Sequence, residues 1–247
     1  MQQKLKVSDF PTNETLNFVL EYLPNKNGRI LEIGCGNGEL AFSLQNLGFQ
    51  VVAIDTSAEA VENTKQLGID ATVAAFPDFE ETPFDAILFT RSLHHVHKLT
   101  EAVEKTHQLL KSNGLVIVED FAFDEASETT IEWLYGVVSL LDVSQQLNLE
   151  EDNFAKDLLL GKGNYEVWQK NHHHDLHSAP KMFSALKKRF EPIIETTAPY
   201  LYRYFCLLLN KNPNGLAIAA QILNLEKRMA KLERIELIGR RFVGKRL

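Results

Sequence analysis

Cysteine is scarce in this chain: Cys35 and Cys206 are the only two in 247 residues. Two thiols cannot build the disulfide framework of a small secreted scaffold, and such sparse use fits a reducing compartment. Long apolar runs are missing as well. No stretch approaches the ~20 residues that a bilayer-spanning helix needs, and Met1-Gln2-Gln3-Lys4 lacks the apolar core of a secretory signal. The expectation is a cytoplasmic protein with no membrane partner. Basic charge is the minority, 26 Lys and Arg against 33 Asp and Glu, for a net charge of −7. That balance argues against a nucleic acid as partner. The C-terminal Lys227-Arg228, Lys231, Arg234, Arg240-Arg241 and Lys245-Arg246 are locally basic, but Phe242 is the one aromatic beside them, too few for a stacking platform. A solvated helix face and edge strand account for that charge.

What the chain does have is a glycine-rich turn, Ile30-Leu31-Glu32-Ile33-Gly34-Cys35-Gly36-Asn37-Gly38-Glu39-Leu40. An apolar run turns on three glycines and continues helix-compatible through Leu40, Leu44 and Leu47 to Gly48, a C-terminal stop position. Such a turn places backbone N–H groups and the positive end of a helix dipole at the carboxyl edge of a strand. About twenty residues beyond the first glycine, a second apolar run, Val51-Val52-Ala53-Ile54, ends on Asp55, a carboxylate suited to a ribose diol.

The spacing Gly34-x-Gly36-x-Gly38 after Glu32 differs from the dinucleotide fingerprint G-x-G-x-x-G. It resembles motif I of the class I S-adenosylmethionine (SAM) dependent methyltransferases, E/D-x-G-x-G-x-G. The resemblance extends to Asp55, to Pro83-Phe84-Asp85-Ala86-Ile87-Leu88 and to Leu110-Lys111-Ser112-Asn113-Gly114-Leu115. It implies a Rossmann-like α/β fold, a seven-stranded, mainly parallel sheet with helices on both faces. The expected layout is one domain over 1–247: a cofactor-binding half at 28–121, a helical cap insertion at 122–179, and C-terminal edge strands and helix at 180–247.

Periodicity supplies the elements. Residues 12–23 read as a helix capped by Thr12 or Asn13, and Thr56-Ser57-Ala58-Glu59 opens a helix that closes at Gly68. Ala71–Ala75, Phe84–Thr90 and Leu115–Glu119 read as strands, with a helix capped by Thr100 running to Asn113-Gly114 between the last two. Helical stretches are expected at 126–142, 150–160 and 180–190, and a β-rich stretch from Pro192 to Leu209 reads as the sixth strand. Asn212-Pro213-Asn214-Gly215 is a turn before an amphipathic helix, and Ile235–Val243 reads as the last strand. A helix between the two late strands departs from the direct hairpin of the family.

The resemblance implies that Gly34, Cys35, Gly36 and Gly38 line the methionine and ribose parts of SAM. Glu32 would meet its amino end and Asp55, followed by Thr56, the ribose hydroxyls. Plain structural readings stand beside these: Glu32 as a loop brace, Asp55 as a charge at a helix start. The family's acidic adenine partner has no counterpart after the third strand, where Ala75 and Phe76 would meet the ring through backbone and aromatic face. Thr90 closes the fourth strand, and Arg91, His94 and His95 follow it into the rim where open α/β sheets bind ligands. These three are the candidate catalytic residues; a histidine packed against the next helix is the alternative. Glu119 and Asp120, at the fifth strand's exit, are candidates for a substrate amine or for solvated loop acids.

His172-His173-His174-Asp175-x-His177 has metal-ligand residue types, but neighbouring side chains point apart and no H-E-x-x-H occurs. No metal is assigned, and some of these histidines are expected to line a substrate pocket. Tyr200, Tyr202 and Tyr204 would alternate along the sixth strand and add an aromatic wall or a packed row. The activity implied is methyl transfer from SAM to a small-molecule acceptor, with S-adenosylhomocysteine (SAH) as product. A nicotinamide-dependent oxidoreductase and a non-catalytic SAM-binding partner protein are the alternatives.

Overall fold

Runs of β-branched and aliphatic residues form the central strands: β1 (Arg29–Ile33), β2 (Gln50–Asp55), β3 (Asp70–Val73), β4 (Phe84–Thr90) and β5 (Leu110–Phe121). In this computed structural model the described residues are 6–23, 27–150, 152–172, 176–209 and 212–247. Two later strands, β6 (Phe190–Ala198) and β7 (Gly239–Arg246), complete a seven-stranded sheet in the order β3-β2-β1-β4-β5-β7-β6. The pairs β1–β2, β1–β4, β2–β3 and β4–β5 are parallel. From β1 the chain builds outward to β3, then crosses back to β4. The point of reversal, at the carboxyl ends of β1 and β4, is where such sheets leave a crevice.

The central strands of the sheet are apolar on both faces because both are covered. Ile30, Val51, Ala53, Ala86, Leu88 and Ile117 pack against Phe18 and Val19 of α1 (Phe10–Tyr22), Ala41 and Leu44 of α2 (Glu39–Asn46) and Val61 of α3 (Ala58–Gln66). The alternate residues Leu31, Ile87, Phe89, Val116 and Val118 are equally buried. The crossover from β4 to β5 runs through α4 (Leu99–Leu109), which a right-handed connection puts on that second face.

The contacts divide the chain into two units. One comprises Thr12–Phe121, Leu176–Thr196 and Arg240–Leu247 and holds the sheet; the other comprises Met1–Pro11, Ala122–Asp175 and Thr197–Gly239. The second is helical: α5 (Glu128–Val143), α6 (Asn153–Leu160) and α7 (Tyr165–His172), then, after α8 (Ala179–Leu186) in the sheet unit, α9 (Tyr202–Leu208) and α10 (Gly215–Lys231). Its interior is a ring cluster in which His172 stacks on Trp168 at 3.8 Å and meets Phe154 and Tyr204 edge-on. His172 also contacts the Tyr204 hydroxyl through Nε2 at 2.7 Å.

Several local expectations need correction. α1 starts at Phe10, ahead of the proposed caps Thr12 and Asn13. Ser57, not Thr56, caps α3, its hydroxyl accepting from the Ala60 N–H. Thr100 is inside α4, which has Lys98 at its N-cap and no side-chain cap. That helix ends at Leu109, because Leu110 already pairs with Phe84; the register then jumps to Leu115 opposite Ala86. Asn113, at φ +64°, turns the excluded residues. The strand expected over Pro192–Leu209 stops at Ala198, and Tyr202 and Tyr204 lie on α9. The cause is remote: both Glu226 oxygens accept backbone N–H groups, from Tyr200 (2.7 Å), Leu201 (3.0 Å) and Tyr202 (3.0 Å), which starts a helix there. The last strand begins at Gly239, four residues after Ile235, where a Cβ would press on the Ala198 carbonyl oxygen.

Candidate active site

The turn from β1 into α2 places Gly34, Gly36 and Gly38 at φ +74°, +54° and +82°. This left-handed region is one that residues with a Cβ occupy at a cost. Packing adds a second reason at two of the three. A Cβ on Gly34 would lie 2.5 Å from the Ser92 Cβ, and one on Gly38 2.7 Å from Thr64, whereas nothing lies within 4 Å of one on Gly36. The middle glycine therefore leaves backbone open beside the crevice. Asp55 ties this turn to the next strand: Oδ2 accepts from the Gly36 N–H and Oδ1 from the Ser57 N–H, both at 2.9 Å.

Beside the turn is a cavity of about 220 Å³ lined by Thr12, Thr15, Glu32, Gly34, Cys35, Gly36, Asn37, Glu39, Leu40, Thr90 and Arg91. The structure thus gathers Glu32, Gly34, Cys35, Gly36, Thr90 and Arg91 from the sequence-derived set around one space. Gly38 at the start of α2, Asp55 at the end of β2, and Thr56, Ala75 and Phe76 after neighbouring strands are not on its wall; Phe76 packs edge-on against Phe89 at 5.7 Å. Thr12 and Thr15 escaped the sequence reading. They are one helical turn apart on α1, a spacing that marks a shared face, and Thr15 is 1% exposed.

Glu32 is 2% exposed. Its Oε1 accepts from the Thr90 hydroxyl at 3.4 Å, and among the described residues Oε2 has no hydrogen-bond partner. Burial pushes its pKa up to about 8, against the pull of the nearby Arg91 guanidinium. A buried carboxyl with an unmet acceptor on a cavity wall is a group arranged for a cationic or hydrogen-donating ligand. Arg91 stands opposite in charge, held at φ +63° with its N–H on the Glu119 carbonyl at 2.7 Å. Cys35 is no nucleophile here: burial pushes its thiol up to about 11.

His94 and His95 sit on the turn after β4, away from this wall. His94 is buried, with Nδ1 2.6 Å from Asp120 Oδ1, while His95 is exposed with its ring centroid 4.0 Å from that of His94. Glu119 and Asp120 are not solvated rim acids. Glu119 Oε1 receives Arg241 through Nε (2.9 Å) and Nη2 (2.6 Å), and Asp120 accepts from the Phe121 N–H at 2.9 Å. His177 donates its N–H to the His94 carbonyl at 3.0 Å, and its Nε2 lies 2.9 Å from the Val96 carbonyl. His173, His174 and Asp175 lie outside the described residues; among the described ones no three metal-ligating side chains form a group. No helix among them is long and apolar enough to cross a membrane.

A family model described as a methyltransferase domain matches residues 9–152, more than half of the chain. The chain belongs to that family, the class I SAM-dependent methyltransferases. It is 30% identical over 170 residues to an uncharacterized methyltransferase of Staphylococcus carnosus, covering 64% of this chain and 80% of that one. It is also 35% identical over 103 residues to a ubiquinone biosynthesis O-methyltransferase of Pelagibacter ubique, or 38% of this chain and 42% of that protein. The chain spans about half the length of the first curated relatives it matches. Its fold is similar to that of the N-methyltransferase NodS from Bradyrhizobium japonicum WM9, crystallised with SAH: TM-score 0.55, 10% identity, 97% of this chain and 87% of that one covered.

The cavity suits part of the family's cofactor. About 220 Å³ is below the ~300–1,000 Å³ of a complete small-molecule site. It offers one buried acceptor, one guanidinium and exposed backbone, which match the zwitterionic methionine end.

Proposed function

We propose that this chain transfers the methyl group of SAM to a small-molecule acceptor. The observation that carries the reading is that Glu32 and Arg91, of opposite charge type, line one cavity beside an open glycine turn. Bound SAM supplies a methyl group already activated on a sulfonium, so the chain's work is to bind, orient and exclude water. In this reading Glu32 accepts from the ammonium of the methionine end and Arg91 takes its carboxylate. Gly34, Cys35, Gly36 and Gly38 present backbone to the ligand, and Thr90 steadies Glu32. Asp55 already holds two N–H groups, yet each carboxylate oxygen keeps a second lone pair for the ribose hydroxyls. Thr56, Ala75 and Phe76 flank the adenine.

On the acceptor side, with Arg91 taken by the cofactor, the exposed His95 is the candidate that meets substrate, and a base is needed only where the acceptor arrives protonated. His94 positions this turn, because its backbone N–H is held by Asp120. A small acceptor rather than a nucleic acid is supported by the use of C-terminal arginines within the sheet unit: Arg241 bonds Glu119 and Arg246 donates to the Leu110 carbonyl.

Calorimetry with SAM, SAH and NAD on wild type and Asp55→Ala tests the cofactor. SAM and SAH should bind wild type and bind the variant more weakly. Binding of NAD alone moves the protein to the oxidoreductases. SAH release should then follow addition of the low-molecular-mass fraction of a cell extract. Turnover only with the macromolecular fraction overturns the acceptor class.

A further inference from the structure

Thr15, Glu119 and Arg241 come from three separate elements, α1, β5 and β7, and meet in the sheet unit. The Thr15 hydroxyl donates to Glu119 Oε2 at 2.5 Å, and Arg241 donates two N–H groups to Oε1 of the same carboxylate. Glu119 is 2% exposed and Thr15 1%. A carboxylate accepts and does not donate, so Thr15 is the donor in this contact. The same oxygen, on the cavity wall, accepts from Arg91 Nη1 at 3.4 Å.

We infer that Thr15, backed by Glu119 and Arg241, is a positioning residue that aims the Arg91 guanidinium at the carboxylate of the bound cofactor. The inference rests on the SAM reading above. Three features support it. Arg91 is at a left-handed φ, so its backbone direction is set by the Glu119 carbonyl and its side chain is the adjustable part. Thr15 is on the cavity wall, so the oxygen that receives Arg91 also borders the ligand. The Glu119 carboxylate is charge-compensated by Arg241, whose guanidinium also covers the Phe18 ring at 4.3 Å, so the anchor of the relay is held on both sides.

The test is calorimetry with two ligands, SAH and the decarboxylated cofactor S-adenosylmethioninamine, on wild type, Thr15→Val and Thr15→Ser. Valine keeps the shape and removes the hydroxyl; serine keeps the hydroxyl. Loss of a hydrogen bond that orients a charged group should weaken SAH by about tenfold in Thr15→Val. The decarboxylated ligand, which has nothing for Arg91 to hold, should lose less than about threefold, and Thr15→Ser should bind SAH like wild type. Equal losses for both ligands would make Thr15 a mere wall residue and overturn the relay while the SAM reading stands. Absence of SAH binding to folded wild type would instead remove the SAM reading on which the relay depends. If Thr15→Val does not fold, Arg241→Lys, which keeps the charge but not the fork, should show the same ligand selectivity, and equal losses for the two ligands in that variant likewise overturn the relay.

Discussion

His94 Nδ1 lies 2.6 Å from Asp120 Oδ1, joining the turn after β4 to the end of β5 through two buried side chains. Asp120 Oδ2 also accepts from the His94 N–H at 3.3 Å, so one carboxylate lies against the ring and holds the backbone. The His94 carbonyl in turn receives the His177 N–H. A histidine held this way fixes a loop; that the loop carries Arg91 three residues earlier is what links it to the cavity.

Asp120→Ala should therefore destabilise the protein by about 1–3 kcal/mol, because it leaves the buried backbone N–H of His94 without its acceptor. His95→Ala, at an exposed position where the ring meets only one face of His94, should cost less. Urea midpoints of the two variants check the contrast. Equal midpoints would mean that the His94–Asp120 contact contributes nothing to the fold.

Glu32 makes stability depend on pH in a defined direction. Its carboxyl is raised from 4.5 to about 8 by burial, so the folded state keeps a proton that the unfolded state has lost. The contribution is fully present below pH 4.5 and is lost as pH rises toward 8. Glu32→Gln, always neutral, lacks this loss, so its stability advantage over wild type should grow across that window and level off above it. A parallel pair of stability–pH curves would refute the shift. The same ionisation should strengthen binding of a ligand ammonium, so SAH affinity of wild type should rise toward pH 8 and that of Glu32→Gln should stay flat.

How much of this was legible follows from the range of the interactions. Gly34, Gly36, Gly38, Gly48 and Gly68 all have positive φ, and each marks a turn visible from neighbours in the chain. β4 runs over the expected Phe84–Thr90, since an uninterrupted apolar strand covered on both faces needs no distant partner to be recognised. The failures are non-local. Residues 110–114 continue a helical pattern, yet pairing of Leu110 with Phe84 draws them into β5. Glu119 and Asp120 read as rim acids because Arg241 and His94, which claim them, come from other elements. Thr15 has no local signature as a site residue; only the packing of α1 gives it one.

Glu226 is another such distant partner, and it carries a stability prediction within the helical unit. It is fully buried on α10 and accepts three consecutive backbone N–H groups where α9 begins. Glu226→Ala leaves those donors buried and unmet and should cost about 3 kcal/mol or more. Glu226→Gln keeps one carbonyl oxygen but turns an amide N–H toward a donor, so it should fall between alanine and wild type. Denaturant titration followed by the fluorescence of Trp168, which is buried in the same unit, reads the order. An alanine variant as stable as wild type would show that water replaces the carboxylate at no cost.

The glycine turn separates folding from ligand binding residue by residue. Alanine at Gly34 must take a left-handed φ and also drive its Cβ into Ser92, whose hydroxyl donates to the Ile33 carbonyl. The conformational penalty of about 1–2 kcal/mol is joined there by overpacking of about 1–3 kcal/mol. Alanine at Gly36 meets the first penalty alone, because no atom lies within 4 Å of the added methyl. Gly36→Ala should therefore remain folded, with a loss of about 1 kcal/mol. Yet Gly36 borders the cavity and gives its N–H to Asp55, so the methyl stands where a ligand would meet the backbone. SAH affinity should fall about a hundredfold in Gly36→Ala, the scale of a steric conflict worth ~3 kcal/mol. Urea titration and calorimetry on the two variants separate the effects: Gly34→Ala shows a clear stability loss, and Gly36→Ala chiefly a binding loss. A folded Gly36→Ala protein that binds SAH like wild type would mean that the cofactor does not touch this turn.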